Sequence, residues 1–392
     1  MSGGEARLRI GFIPLIDAAA SIVAVDKGFA AAEGLDVELV REVSWSNVRD
    51  KLNVGLFEAA HLLAPVAIAS SLGLGHVRVP IVAPVNLNLN GNAITVTPTL
   101  FAALRDAADG DLADPLTSAR ALARVVAARR AKGDAPLTCG MTFPFSMHNY
   151  QLRFWMAAGG VDPDEDVQLA VLPPPYMVES LAKGHVDAFC VGAPWGSVAV
   201  DLGLGHILHF GCDIVARAAE KVLAVRAQWA TDNPALLQKL VRAHHRAAAF
   251  VADPANRDDI VALLAARDRL GVSADIVRHT LDGRLKVSPS GTLRANEQYV
   301  VIGRPGAARP DPAQAAWIYA QMVRWGQAPR SGELLAAAKA VFRPDLYNAV
   351  SGLGDDAPTD APADGIGAFA GPPFDPDNVA AHLYAWTIRR SR

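Results

Sequence analysis

The sequence predicts an α/β fold that is built on a mostly parallel sheet. Short strand-like runs alternate with helix-like runs over the first 100 residues, and this alternation is typical of parallel sheets with crossover helices. Of the 392 residues, 51% are hydrophobic and 20% are charged, which excludes a largely disordered chain. A domain usually has about 100–200 residues, so we expect two domains.

The first elements follow from periodicity and turn residues. A strand is predicted at 8–13, and a helix follows over about 19–33 and ends at Gly34. Residues 35–40 alternate with a period of two, as a half-buried strand does. Ser46 is placed to cap the next helix, because its hydroxyl can accept a hydrogen bond from a first-turn N–H group.

The rest of the chain continues the alternation and then becomes helical. Strands are predicted at 169–172, 185–191 and 221–225, and helices at about 113–130, 150–158, 176–183, 234–250, 257–267, 274–281, 312–326 and 332–341. Residues 355–377 are rich in Pro, Ala, Asp and Gly, which predicts an extended or mobile segment. Residues 383–388 are apolar enough to pack back onto the body.

Four asparagines recur at every second position from Asn86 through Asn88 and Asn90 to Asn92. In an extended segment this spacing places four carboxamides on one face. Because asparagine is disfavoured in strands, the pattern needs a reason. It indicates either a solvated face at a sheet edge or a cleft wall that offers hydrogen bonds to a small polar ligand.

The N-terminal segment does not have the pattern of a secretory signal. The apolar stretch from Ile10 to Val25 is interrupted by Pro14 and Asp17, and no small-residue cleavage site follows. No window reaches the ~18–20 apolar residues of a membrane span. If Met1 is the natural start, we expect a cytoplasmic protein without a membrane partner.

Charge and motif content argue against nucleic-acid binding and give no support to catalysis. The formal net charge is −3, whereas a protein that binds nucleic acid directly usually has a basic excess. The sequence has no nucleophile elbow, metalloprotease helix, Walker loop or dinucleotide-binding glycine motif. The three cysteines are too scattered for a four-ligand zinc site, and the adjacent His244 and His245 diverge on a helix. We expect no enzyme activity, no metal and no cofactor.

Several residues suit the capture of an anion. Trp45 lies at a strand-to-helix junction, where first-turn N–H groups and the helix dipole favour negative charge. The loop that contains Gly192, Pro194 and Trp195 follows a predicted strand, and His148 precedes a helix. Lys221 is a cation beside apolar residues. The alternatives are core packing for the tryptophans, helix capping for His148 and a surface position for Lys221.

Together these segments resemble the nitrate- and bicarbonate-binding proteins of the NrtA/CmpA type, which are substrate-binding proteins of ABC importers. The matching segments are 10–15 (IGFIPL), 27–29 (KGF), 44–50 (SWSNVRD), 90–95 (NGNAIT), 141–144 (MTFP), 153–164 (RFWMAAGGVDPD), 187–195 (DAFCVGAPW), 220–225 (EKVLAV) and 341–347 (VFRPDLY). Each segment alone is a weak signal, whereas their combination and order are specific.

The resemblance implies the type II periplasmic-binding-protein fold, with two lobes and a ligand cleft between them. On this basis lobe one comprises 1–92 and 226–345, lobe two comprises 98–220, and 346–392 forms a C-terminal tail on the body. We expect the chain to cross between lobes near 93–97 and to return near 221–225. Ligand binding in such a cleft would close the hinge.

The resemblance also implies roles for single residues. The tryptophan that contacts nitrate corresponds to Trp45, the strand-borne carboxamide to Asn90, the loop glycine to Gly192 and the anion-pairing lysine to Lys221. The sequence departs from the family at two positions, where Met141 replaces a histidine and Ala193 replaces a frequent acidic residue. His148 is a candidate to supply the imidazole that position 141 does not provide. These departures predict a site rich in donors, which suits nitrate or nitrite better than bicarbonate.

One branch of the family, the NasS type, is cytoplasmic. The resemblance to it implies a nitrate/nitrite sensor that holds an ANTAR-type RNA-binding antiterminator inactive and releases it when the anion binds. The alternative is the substrate-binding component of a nitrate, nitrite or bicarbonate importer. A second alternative is a small-molecule enzyme on the same fold, such as a pyrimidine-precursor synthase or a dehydratase.

Overall fold

The computed structural model describes residues 7–354 and 362–388, which form two mixed sheets covered by helices. The strands are β1 (Leu8–Phe12), β2 (Val37–Arg41), β3 (Ala59–Leu63), β4 (Ile81–Asn90), β5 (Asn92–Val96), β6 (Thr138–Met141), β7 (Gln168–Val171), β8 (Ala188–Gly192), β9 (His206–Phe210), β10 (Ala219–Arg226), β11 (Arg284–Lys286), β12 (Leu293–Ala295) and β13 (Val300–Val301).

The helices are α1 (Ala19–Asp26), α2 (Phe29–Ala32), α3 (Trp45–Asn53), α4 (Ala64–Leu72), α5 (Pro98–Ala107), α6 (Pro115–Lys132), α7 (Met147–Ala158), α8 (Met177–Ala182), α9 (Trp195–Asp201), α10 (Gly211–Ile214), α11 (Ala227–Asp232), α12 (Pro234–Ala252), α13 (Arg257–Ala265), α14 (Ala274–Leu281), α15 (Pro312–Arg324), α16 (Gly332–Lys339), α17 (Pro344–Ser351) and α18 (Val379–Tyr384). Short 3₁₀ turns lie at Ile16–Ala18, Pro174–Tyr176 and Pro254–Asn256. Within the described part of the chain, no helix has both the length and the apolar character that crossing a membrane requires.

Each of the two large sheets contains a strand that runs against its neighbours. The first sheet has the order β13-β4-β10-β3-β1-β2, and β10 is antiparallel to both β3 and β4. The second has the order β7-β6-β8-β5-β9, and β5 is antiparallel to both β8 and β9. The prediction of a mostly parallel sheet is therefore wrong in this respect. The reversed strands β5 and β10 are the first strands after the chain passes from one sheet to the other.

The chain crosses between the sheets at Gly91, which separates β4 from β5 by one residue and has a φ of 96°. Glycine adopts this backbone conformation without the steric penalty that a side chain would bring. The chain returns between Phe210 and Ala219. Both crossings lie earlier than the sequence predicts, since 92–96 already belongs to the second sheet and 219–226 to the first. The lobe boundaries themselves stay a prediction.

Two local predictions need correction. The helix predicted over 19–33 is interrupted at Gly28, whose φ of 76° is left-handed, so that α1 and α2 are separate. The cap of α3 is Ser44 rather than Ser46, because the Ser44 side chain accepts the hydrogen bond from the Asn47 N–H group.

All four alternating asparagines are buried, and none is more than 1% exposed. The interpretation as a solvated edge face is therefore wrong. Buried carboxamides need hydrogen-bond partners, and these four lie on β4 and β5, where the chain crosses between the sheets.

The described C-terminal residues contact both the second crossing and the helices. Ala368 forms an isolated bridge with Val215, and the Arg217 N–H group donates to the Ile366 carbonyl. The rings of Trp386 and Phe154 meet edge to face with centroids 4.8 Å apart. Part of the segment predicted to be extended or mobile, residues 355–361, lies outside the described residues.

Candidate functional site

A buried lysine forms the centre of the site. Lys221 lies on β10, paired with Leu63 of β3 and Asn88 of β4, and its side chain is inaccessible to water. Its Nζ lies 2.9 Å from Oδ2 of Asp17 and 2.8 Å from Oε1 of Glu220. The alternative of a surface position for Lys221 is therefore wrong.

The Asp17 carboxylate connects this lysine to a histidine. Asp17 belongs to the 3₁₀ turn Ile16–Ala18, and its Oδ1 lies 2.7 Å from Nε2 of His61 on β3. The Nδ1 of His61 accepts a hydrogen bond from the Ile13 N–H group at 3.4 Å. Since Nδ1 is an acceptor, the proton of neutral His61 lies on Nε2 and is donated to Asp17.

The Glu220 carboxylate connects the lysine to the second sheet. Its Oε2 accepts a hydrogen bond from Nδ2 of Asn92 at 2.7 Å, and the same amide donates to Oε1 of Gln151 at 2.8 Å. Asn92 belongs to β5 and Gln151 to α7, whereas Glu220 and Lys221 belong to the first sheet. The cluster therefore spans the two sheets.

His148 is brought to the same place by α7. The Ser146 side chain caps this helix by accepting from the Asn149 N–H group, and the imidazole of His148 is fully buried. The Nδ1 of His148 lies 3.0 Å from Oγ1 of Thr142. Its Nε2 lies 3.4 Å from Oε1 of Glu220, although the geometry does not make a hydrogen bond.

Burial and charge together set the ionisation of the central pair. Burial by itself raises the pKa of Asp17, but the Lys221 charge and His61 lower that pKa to about 2. Burial lowers the pKa of Lys221, but Asp17 and Glu220 oppose it and the net pKa is raised. Asp17 and Lys221 are therefore a charged pair at neutral pH.

The pKa values of the remaining titratable groups are each shifted in the direction of the neutral form. Burial raises the pKa of Glu220 above its usual value, although Lys221 acts in the opposite direction. Burial lowers the pKa of His61, and burial together with the Lys221 charge lowers that of His148 well below its usual value. With Glu220 ionised, the cluster has a net charge of −1, and with Glu220 protonated it is neutral.

Three donors of this cluster are free to bind a ligand. Trp45 is buried with its ring 5.4 Å from the Lys221 Nζ, and its Nε1 has no hydrogen-bond partner among the described residues. The Nε2 of His148 also lacks one, and it is a donor in the tautomer in which Nδ1 accepts from the Thr142 hydroxyl. The ammonium of Lys221 has three N–H groups, of which Asp17 and Glu220 take two. Other buried tryptophans, Trp317 among them, also have an unpartnered Nε1, so what marks this position as a candidate ligand site is that such groups lie around a buried ammonium and its carboxylate partner.

The loop after β8 lies against the same acidic group. A Cβ at Gly192 would lie 3.4 Å from Oδ2 of Asp17 and 3.6 Å from Oδ1 of Asn92, so a larger side chain would enter the cluster. The Ile16 N–H group donates to the Ala193 carbonyl at 3.0 Å, which ties the loop to the turn that carries Asp17. The structure thus brings Trp45, His148, Gly192 and Lys221 together.

Pro194 and Trp195 are not joined to Lys221 by any contact that the described residues show. Pro194 precedes α9, and Trp195 is its first residue. The half-buried Trp195 packs against the hydrophobic cores, as the core-packing alternative predicts, and its buried Nε1 has no partner among the described residues. Roles for these two residues in ligand binding stay predictions.

Asn90 is engaged elsewhere, which departs from the role that the resemblance implies. Its Nδ2 donates to the carbonyls of Ala216 and Gln298, and its Oδ1 accepts from the Ala218 N–H group. Both N–H groups of Nδ2 are therefore used. The carboxamide holds the second crossing in place and has no N–H group left to donate to an anion. The carboxamide that reaches the cluster is that of Asn92, because Gly91 shifts the strand between the two positions.

Four members of the cluster are not among the predicted site residues, namely Asp17, His61, Glu220 and Gln151, whereas Asn92 is one of the four carboxamides for which a cleft wall is one of the two predicted alternatives. A signal existed for Asp17, which interrupts an otherwise apolar stretch. Neighbouring side chains on a regular strand point to opposite faces, so Glu220 and Lys221 were not expected to meet. The register of β10 against β4 shifts on both sides of Lys221, and at this irregularity the two side chains pair.

The described residues contain no group of three or more His, Cys, Asp or Glu side chains arranged to hold a metal ion. His244 is buried, with Nδ1 2.8 Å from the Leu240 carbonyl and Nε2 3.2 Å from Oγ of Ser21. His245 instead contacts the Tyr347 hydroxyl at 2.7 Å. The two adjacent histidines therefore have separate structural partners.

Comparison with known proteins identifies relatives over most of the chain. Residues 2–265 match the model of the NMT1-like family. The nitrate/nitrite binding protein NrtA of Synechococcus elongatus is 30% identical over 399 residues, covering 97% of this chain and 87% of that protein. The bicarbonate transport ATP-binding protein CmpC of Synechocystis is 32% identical and covers 99% of this chain. The chain spans little more than half the length of the transport ATP-binding proteins that it matches.

The fold agrees with that of a solved relative. The crystal structure of the periplasmic nitrate-binding protein NrtA from Synechocystis PCC 6803 superposes with a TM-score of 0.87 at 27% sequence identity. The superposition covers 97% of this chain and 98% of that one. The predicted α/β periplasmic-binding-protein fold is therefore confirmed, with the mixed strand directions described above.

Proposed function

The chain belongs to the NMT1-like family and is a relative of the NrtA nitrate/nitrite binding proteins, and on this basis we propose that it binds nitrate or nitrite at Lys221. The ligand would lie between the two sheets, where clefts commonly hold small molecules. Two of these relatives are named for nitrate binding, which supports a binding role for this chain.

The observation that carries this proposal is the set of unused donors around Lys221. Nitrate and nitrite present only acceptor oxygens, and Trp45 Nε1, His148 Nε2 and the third N–H group of Lys221 are available to them. A hydrogen bond to a charged group contributes roughly 1.5–3 kcal/mol, and a neutral one roughly 0.5–1.5 kcal/mol. Micromolar affinity needs about 8 kcal/mol, so these donors need a dry, closed cleft to be sufficient.

Bicarbonate is a second candidate ligand because the site also contains acceptors. Bicarbonate has an O–H group that must donate, and Asp17, Glu220 and the unpartnered Oδ1 of Asn92 can accept. The site therefore has acceptors for the bicarbonate O–H group even though Ala193 replaces the acidic residue that is frequent in the family. Similarity to a bicarbonate transport protein is consistent with this candidate.

Calorimetric titration of the full chain with nitrate, nitrite, bicarbonate and sulfate tests the proposal. Micromolar binding of nitrate or nitrite without a bicarbonate signal is the expected result. Tight binding of bicarbonate without binding of nitrate or nitrite would show that bicarbonate, the second candidate, is the ligand. Binding of none of the four anions would contradict the proposed site.

The finer role that we propose is a cytoplasmic sensor that sequesters an ANTAR-type antiterminator and releases it on anion binding. One support is the resemblance of the sequence segments to the NasS branch. A second is that the groups of the site come from two sheets, so that a bound ligand can change the position of one sheet relative to the other. A ligand changes partner affinity only through different affinities for two states, and the effect is reciprocal.

A co-precipitation of the antiterminator with and without nitrate tests this role. We expect the complex to form without the anion and to dissociate with it, and we expect nitrate affinity to fall when the partner is present. Equal nitrate affinity with and without the partner would contradict the sensor. Binding instead to the membrane components of an importer would favour the transport alternative.

A further inference from the structure

We infer that the anion enters this site together with one proton, which is held by Glu220; this inference rests on the proposed function. Glu220 is then a ligand-binding residue that acts in its protonated form. The species that the site takes up is the electrically neutral pair of a monovalent anion and a proton.

The geometry places Glu220 beside any anion that uses the free donors. Its Oε1 lies 2.8 Å from Nζ of Lys221 and 3.4 Å from Nε2 of His148. An anion that bridges these two donors lies beside the Glu220 carboxyl group, because Oε1 is within 3.4 Å of both. Two oxygens with negative charge would repel each other there, whereas a protonated carboxyl would donate a hydrogen bond to the anion.

The charge of the whole cluster leads to the same conclusion. Lys221 already pairs with both Asp17 and Glu220, so its positive charge is more than balanced before any anion binds. The three side chains are at most 3% exposed, and water cannot screen a second negative charge among them. One proton on Glu220 restores the charge that the site has without the ligand.

The other groups that face Glu220 are poor carriers of that proton. Asp17, in the 3₁₀ turn after β1, stays ionised because Lys221 and His61 hold its pKa near 2 despite its burial. His148 on α7 and His61 on β3 have pKa values lowered by burial. Cys190 on β8 has a thiol pKa that burial and Glu220 raise, so it stays neutral. Glu220 differs from Asp17 because the net pKa of its carboxyl is raised, since burial outweighs the effect of Lys221.

Titration of the full chain with potassium nitrate across pH 6.0–8.5 tests the inference. If one proton is taken up with each nitrate, the apparent Kd rises tenfold for every unit by which the pH increases above the pKa of Glu220 in the free protein. Titrations at pH 8 in Tris and in triethanolamine, which differ in ionisation enthalpy, count the protons directly. We expect one proton per nitrate at pH 8.

Two variants separate Glu220 from other sources of pH dependence. Glu220→Gln removes the negative charge permanently, so we expect a Kd that is independent of pH, no proton uptake, and tighter nitrate binding than the wild type at pH 8. The matched control Glu179→Gln makes the same change at an exposed residue of α8 that pairs with Lys183. We expect it to keep the pH dependence of the wild type.

The outcomes distinguish the inference from the proposed function. Nitrate binding with a constant Kd and no proton uptake overturns the inference and leaves the function intact. Absence of nitrate binding at every pH overturns both. If Glu220→Gln does not fold, the proton count on the unaltered chain still decides the inference.

Discussion

The ammonium of Lys221 lies 2.9 Å from a carboxylate oxygen of Asp17, and both side chains are buried. These two residues are 204 positions apart in the chain, and Asp17 comes from the turn after β1 while Lys221 comes from β10. The pair thus has two roles, because it fixes the packing of the first sheet and provides the only positive charge that the described contacts place at the proposed anion site.

Lys221→Met is expected to affect both roles. Loss of the ammonium leaves Asp17 and Glu220 buried without their cation, which costs about 3–5 kcal/mol in unfolding free energy. Nitrate affinity should fall by roughly tenfold to a hundredfold or more, since the variant removes a charged hydrogen bond. Urea unfolding and calorimetry measure the two effects.

The double variant Lys221→Met with Asp17→Asn provides the control. Neutralising Asp17 should recover part of the unfolding free energy, whereas nitrate affinity should stay low. Unchanged nitrate affinity in a folded Lys221→Met protein would remove Lys221 from the site.

Trp45→Phe removes the indole N–H donor and keeps an aromatic ring beside Lys221. We expect nitrate affinity to fall about 2- to 13-fold, corresponding to one neutral hydrogen bond of about 0.5–1.5 kcal/mol. The matched control is Trp317→Phe on α15, another buried tryptophan whose Nε1 lacks a partner within the described chain. Both variants should lower stability because the smaller ring packs less well. An equal loss of affinity in the two variants would count against a contact between Trp45 and the anion.

Asn90→Gly distinguishes a structural asparagine from a ligand-binding one. Glycine accepts the left-handed φ of 61° at this position, so the change removes the side-chain hydrogen bonds to Ala216, Gln298 and Ala218 without straining the backbone. We expect a loss of about 2–4 kcal/mol in unfolding free energy, from three bonds of about 1 kcal/mol each, with nitrate Kd within about twofold. A large loss of affinity with little loss of stability would instead support the role implied by the family resemblance.

His244→Gln should reduce the decrease in unfolding free energy that occurs as the pH falls below 6.5. Burial lowers the pKa of His244 to about 4 in the folded protein, whereas its usual value is about 6.5. The unfolded chain therefore binds a proton that the folded one does not, and stability present above pH 6.5 is lost as the pH falls towards 4. This histidine contributes a slope of about 1.4 kcal/mol per pH unit in that window, which the variant should remove.

Urea unfolding of His244→Gln at several pH values between 6.5 and 4.5 measures this slope. The matched control is His279→Gln, which changes an exposed histidine of α14. A slope for His244→Gln equal to that of the unaltered chain would show that His244 is protonated in the folded state.

The sequence predicts most of the elements of the fold, because periodicity and caps are local properties. Helix α14 has the predicted bounds, and α12 differs from its prediction by two residues at one end. The strand directions are not local. Strands β5 and β10 run against their neighbours because the chain passes directly between two sheets at those points, and no local pattern announces such a crossing.

The site is predictable only in part, for the same reason. Trp45, Gly192 and Lys221 follow from the resemblance to a family, and His148 follows from its place before a helix and from the histidine that position 141 lacks. The carboxylates of Asp17 and Glu220 reach Lys221 through a long-range contact and through an irregular register. Neither cause is visible in a sequence pattern, so an acidic environment around the lysine was not expected.

The direct crossing at Gly91 has a consequence for synthesis of the chain. Strand β4 ends at Asn90, and its central partner β10 begins only at Ala219. At a translation rate of about 5–20 residues per second, the ribosome needs roughly 6–26 s to add the 128 residues between them. During that interval β4, which is buried along its whole length in the finished protein, has no partner strand on that side. The proposed anion site therefore cannot form before β10 has emerged, and until then the side chains of β4 that are buried in the folded protein lack the strand that covers them.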